Sequence, residues 1–135
     1  MYMIRKKIGG IEVSKQRQMI WDKSGGVCWY CGEGLQSAWH TDHFLPLGRN
    51  PDRTISNPEN DNFDNLVPAC PGCNIMKSDM DIDDFRQLIG IFTKRLNRDI
   101  SIYRHARKYG LVRETDEEVV FWFENNKDKQ MDIRS

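Results

Sequence analysis

The chain has no apolar run approaching the roughly 18 residues that cross a bilayer as a helix. Its opening, MYMIRKKIGG, carries a basic cluster with no apolar stretch behind it, so it does not read as a secretory signal. Neither charge is in surplus, since 20 Lys and Arg balance 20 Asp and Glu, which at first argues against nucleic acid as a partner. No internal repeat is visible. Cysteine is scarce, with four in the chain. The expectation is a cytoplasmic protein in a reducing compartment, where four cysteines serve as metal ligands rather than as disulfides.

What is present suits one soluble domain. The chain has 135 residues, 39% apolar and 30% charged, enough for one modest core that a staple would help. The charge is unevenly spread. Residues 1–23 and 77–113 are net basic, and residues 24–76 and 114–135 are net acidic. Two readings fit: ordinary solvated surface, or a phosphate-binding rim around an acidic metal site.

Apolar spacing predicts the elements. A loose alternation of Ile4, Ile8, Ile11 and Val13 suggests a short strand or arm. Ser14 caps a helix over 15–23, closed by Gly25 and Gly26. A strand runs through SAWHTDHFLPL to Pro46, and a long loop covers 48–64. NLVPA is a second extended piece, with a short helix starting near Asn74. Ile82, Phe85, Leu88, Ile89, Phe92 and Leu96 recur at helical steps and predict a helix over 81–97. Ser101 caps another helix that ends at Gly110, and His105 falls on its basic face. VVFWF at 119–123 predicts the best strand in the chain, and 125–135 is a polar tail.

Cys28 and Cys31, and Cys70 and Cys73, form two C-x-x-C pairs. One pair alone could be redox-active, half a metal site or coincidence. Two pairs in a short chain with no other cysteine point to a tetrahedral structural zinc. A site filled by four thiolates leaves no position for substrate, so this metal is not the catalyst. Trp29 and Tyr30, between the first two cysteines, read as packing for the turn rather than base stackers.

The 38 residues between the pairs form an insertion held at its base by the metal, and they contain HTDHFLP. His43 belongs to the side-chain type that takes a proton near neutrality, and Asp42 beside it is a hard oxygen ligand. Asn65 and Asn74 flank the second pair. Each has a plain alternative: Asn65 as a turn cap, Asn74 as a helix cap, Asp42 and His43 as a surface pair. Neighbours on a strand face opposite ways, so for Asp42 and His43 to serve one phosphate the strand must end or bulge there.

In order and spacing, Cys28-x-x-Cys31, Asp42-His43 with Pro46, Asn65-Leu66-Val67-Pro68, and Cys70-x-x-Cys73-Asn74 with Lys77 resemble the HNH endonucleases. The resemblance covers residues 28–77. It implies an α+β fold, a ββα-metal core stapled by a four-cysteine zinc site with flanking helices. The core would span about 24–80, with an N-terminal arm and helix (1–23), a helical and strand extension (81–124) and the tail, all in one domain.

By the same resemblance the chain is a DNA endonuclease and His43 is the general base that activates water. Asn65 would accept the other ring N–H of His43, and Asp42 and Asn74 would bind one Mg²⁺ or Mn²⁺. Asn74 stands where many members have His, an H-N-N variant. The products implied are 5′-phosphate and 3′-hydroxyl ends. Lys77, Arg49 and Arg53 are the candidates to hold phosphates, and Arg5-Lys6-Lys7 with the basic residues of 86–108 would grip the DNA backbone. His40 is either a contact to metal or phosphate, or structural. Small nucleases of this kind resemble phage, mobile-element, restriction or defence enzymes, and a homodimer is the simplest route to double-strand cleavage. The alternatives are a non-catalytic zinc module that binds nucleic acid or protein, and a degenerate nuclease within a larger assembly.

Overall fold

The computed structural model of the chain describes residues 7–8 and 11–126. A two-residue hairpin, β1 (Lys7–Ile8) with β2 (Ile11–Glu12), leads into α1 (Val13–Asp22). Next come β3 (His40–His43), β4 (Leu66–Ala69) and α2 (Pro71–Lys77), followed by α3 (Ile82–Gly90), α4 (Phe92–Asp99) and α5 (Ser101–Lys108). Short 3-10 turns lie at Pro58–Asn60, Phe63–Asn65 and Trp122–Asn126. Helices and small antiparallel sheets make this an α+β fold with β3, β4 and α2 as a ββα unit. Among the described residues, no helix is long and apolar enough to cross a membrane.

β3 and β4 pair antiparallel, with His40 opposite Ala69, Asp42 opposite Val67 and His43 opposite Leu66. Val67, Pro68 and Ala69 are buried, so the inner strand is apolar while the outer strand carries the polar chemistry. β3 stops at His43, three residues before Pro46, which cannot donate to a ladder. Lys23, just past α1, is buried and donates from Nζ to the carbonyls of Phe63 at 2.6 Å and Leu66 at 2.7 Å, tying α1 to the start of β4.

The core is aromatic. Cys28, Trp29, Tyr30, Leu35, Val67, Ala69, Phe85 and Phe121 pack together. Trp29 and Tyr30 are buried there, as packing for the cysteine turn.

Several elements differ from the expectation. VVFWF is not a strand: it runs without a ladder partner to Phe121 and then turns into the 3-10 segment Trp122–Asn126. Its aromatic residues pack rather than pair. Phe121 stacks on Phe85 at 5.4 Å and Phe123 on Trp29 at 6.1 Å. The backbone N–H groups of Trp122 and Phe123 are satisfied by the carbonyls of Tyr30 and Trp29. The helix expected over 81–97 is two helices, broken at Ile91 behind Gly90, a weak helix former. Asp81 does cap α3, accepting from the Asp84 N–H. Ser101 is the first residue of α5, not its cap. Asn74 lies inside α2, whose cap is Cys70. Arg5, Lys6 and the tail beyond 126 lie outside the described residues.

Candidate active site

Two features sit on the ββα unit: a cysteine cluster at its base and a polar cleft on its outer face. The cluster forms because each C-x-x-C occupies a tight turn. At Cys28 the Tyr30 N–H points at Sγ at 3.4 Å, and at Cys70 the Cys73 N–H does the same at 3.4 Å. Gly32 closes the first turn at φ +78, and a Cβ there would meet the Trp122 ring at 2.9 Å, so only glycine fits. Across a gap of 38 residues, the four Sγ atoms come within 4.8 Å of one another, and Cys31 and Cys70 are 3.9 Å apart. Four thiolates about 2.3 Å from one tetrahedral ion would be about 3.8 Å apart.

Electrostatics favours the same occupant. The hydrogen bond from Cys73, opposed by burial, holds the Cys28 thiol down at about 4. Burial pushes Cys31 up to about 11, and the bond to Cys28 pushes Cys73 up further. Cys28 ionises at the expense of Cys31 and Cys73, and a cation among the sulfurs would relieve that opposition. The donor set therefore fits a metal ion.

The cleft has a volume of about 280 Å³ and is lined by Thr41, Asp42, His43, Pro46, Leu47, Arg49, Asn74, Ser78 and Asp79. Four of the expected site residues, Asp42, His43, Arg49 and Asn74, line it. Asp42 comes from the penultimate position of β3, His43 from its last and Asn74 from α2, which packs across β3.

Asp42 is buried, and its Oδ2 accepts from Tyr30 Oη at 2.5 Å and faces Lys77 Nζ at 3.1 Å. Its other oxygen has no hydrogen-bond partner among the described residues. The arrangement shows on Tyr30, whose hydroxyl is pushed far above its ordinary pKa by burial and then by the Asp42 charge. Lys77 also donates to the His43 carbonyl at 3.1 Å, so one buried cation fixes both the Asp42 side chain and the end of the strand. The His43 ring presents Nε2 to Asp61 Oδ1 at 2.8 Å. Asn74 places its amide nitrogen 2.8 Å from His40 Nδ1.

The other expected roles need correction. Asn65 does not hold the His43 ring. Its side chain braces the loop instead, with Oδ1 accepting from the Leu45 N–H at 2.8 Å and Nδ2 donating to the carbonyls of Leu45 and Asn60. It still acts on His43 indirectly, because this clamp and the Phe44 N–H to Asn65 carbonyl bond fix the chain leaving β3. Lys77 is no phosphate contact: it is fully buried and committed to Asp42. Arg49 lines the cleft, whereas Arg53 does not, sitting exposed on an adjoining turn at φ +72. Asp61, Asp79 and the Tyr30 hydroxyl were missed by sequence reasoning. Asp61 lies among Glu59, Asn60, Asn62 and Asp64, and nothing in its spacing sets it apart.

No curated protein matches the chain. Residues 28–80 match the family model described as HNH endonuclease. That segment begins at the first cysteine, ends just past the cleft and takes in the ββα unit, so this part of the chain is similar to the HNH endonucleases, whose general activity is that of a nuclease.

Proposed function

We propose that the chain is a metal-dependent DNA endonuclease that hydrolyses phosphodiester bonds and leaves 5′-phosphate and 3′-hydroxyl ends. His43 is its general base. One Mg²⁺ or Mn²⁺ is held by Asp42 and Asn74, and the four cysteines hold a structural Zn²⁺. The observation that carries this reading is the convergence of Asp42, His43 and Asn74 on one open cleft, with the imidazole already held from one side.

Asp61 occupies Nε2, which leaves Nδ1 to take the proton of a water molecule. The resulting hydroxide attacks phosphorus, the bond to the 3′ oxygen breaks, and that oxygen takes a proton from solvent. Tyr30 and Lys77 take one oxygen of Asp42, leaving the other available as a ligand. Asn74 adds a neutral amide oxygen. A carboxylate and an amide oxygen suit a hard cation that keeps several waters. When bound, the cation supplies positive charge against the phosphate and the departing oxygen. Arg49 on the cleft wall would meet a flanking phosphate. Four sulfurs around Zn²⁺ leave no open position, so the zinc shapes the site without entering the reaction.

The test is incubation of supercoiled plasmid with the protein in Mg²⁺ or Mn²⁺, beside a His43→Ala variant. Nicking by the parent, reduced about 10²- to 10⁴-fold in the variant, is the expected result for loss of a general base. The ends should be religated by a ligase that requires a 5′-phosphate. No cleavage of any DNA in either metal would instead favour a zinc-bearing binding module.

A further inference from the structure

His40 opens β3, two residues before Asp42, and lies opposite Ala69 at the end of β4. It is not among the residues that wall the cleft. It stands behind Asn74, with its ring Nδ1 2.8 Å from the Asn74 amide nitrogen. An amide nitrogen can only donate, so Nδ1 accepts and the ring proton is on Nε2. Fixing the nitrogen also fixes the oxygen on the other side of the same planar group. That oxygen has no hydrogen-bond partner among the described residues, and its residue lines the cleft.

The terminal torsion of an asparagine is broad and nearly two-fold, so nothing intrinsic to Asn74 decides which end of its amide faces the cleft. An NH₂ turned inward would present positive partial charge to a cation. We propose that His40 is a positioning residue that selects the orientation of the Asn74 amide, so that its oxygen and not its nitrogen is offered to a divalent cation. The inference rests on the reading of Asp42 and Asn74 as cation ligands. It gives the family variant with Asn at this position a specific requirement, a hydrogen-bond acceptor behind the amide. Lys77 and Tyr30 perform the equivalent task for Asp42, and in both cases the supporting group lies outside the cleft.

The experiment is Mn²⁺ titration of the zinc-loaded full chain, read by loss of the free-ion electron paramagnetic resonance signal, with zinc content and thermal melting checked for each protein. His40→Phe keeps a ring but has no acceptor, and its Mn²⁺ affinity should fall by about 10- to 100-fold, as for other outer partners of metal ligands. His40→Asn can place an oxygen near the former Nδ1 and should stay within about threefold of the parent, a small part of that range. If His40→Phe does not fold, His40→Leu serves as the acceptor-free variant. Equal affinity in all variants, or equal loss in the Asn and acceptor-free variants, overturns the proposal. Asp42→Asn in the same titration separates the two readings. If it weakens Mn²⁺ binding while the acceptor-free variant does not, only the role of His40 fails. If the parent and Asp42→Asn bind alike, the cleft is not the cation site and the functional reading falls with it.

Discussion

At the scale of single residues, the proposed chemistry turns on the His43–Asp61 pair. Asp61 is two-thirds exposed, so water screens the attraction and the pair contributes little to stability. Its effect is on geometry and tautomer, since a carboxylate on Nε2 keeps the proton there and Nδ1 free. Asp61→Ala should lower kcat about tenfold, part of the 10²–10⁴ that a positioned base contributes, and leave Mn²⁺ affinity unchanged. Single-turnover cleavage beside the Mn²⁺ titration separates the two. Lys77 is the opposite case, a charge with no access to solvent, paired to a carboxylate that is 8% exposed. Lys77→Met should destabilise the fold by about 3–5 kcal/mol, because the partner is left buried and uncompensated. Urea unfolding measures this. The types and order of Asp42, His43 and Asn74 were legible in the chain as letters. Asp61 and the buried role of Lys77 were not, because one depends on how a loop of polar residues folds back and the other on what α2 packs against.

Among the elements, the segment at 119–126 shows how composition can mislead. Its aromatic and β-branched residues have strand propensity, but such propensity expresses a fit to a half-buried surface more than a backbone preference. Here the surface is the aromatic core. Phe121 is 3% exposed, packed on Phe85 and Phe123 and edge-on to Tyr30. Arg86 fastens the segment to α3 with two bonds to Glu124, each 2.8 Å, and a third to the Val119 carbonyl. Phe121→Ala should therefore cost about 3–5 kcal/mol, read as a lower urea midpoint with little change in slope. Apolar periodicity did mark the helical stretches of α3, α4 and α5, although among them only α3 has a buried residue, Phe85. It could not show the break at Ile91, where no hydrophobic position is skipped.

For the whole molecule, the cysteine cluster and the core are joined, and a metal ion held by the four cysteines would staple both. β3 and β4 are a two-stranded sheet, which is not stable alone, and the chain between the cysteine pairs has few buried residues of its own. Tyr30 joins the two halves, since its backbone belongs to the cysteine turn, its ring to the core and its hydroxyl to Asp42. Stripping the cysteine-bound ion with a strong chelator should abolish the near-ultraviolet circular dichroism of the aromatic core and plasmid nicking together, and Zn²⁺ should restore both. Loss of nicking with the aromatic signal intact would show the cluster to be dispensable for the fold.

By itself the sequence determined the two cysteine pairs, the ββα unit and the residue types of the cleft, because residue chemistry and spacing are local properties of a chain. Only tertiary structure decided which partner each polar group meets: Asp61 for His43, His40 for Asn74, and Lys77 and Tyr30 for Asp42. Those pairings join residues 12 to 35 positions apart. A hydrogen bond needs alignment within a few tenths of an ångström, and over such separations that alignment comes from how the strands, the loop and α2 pack together.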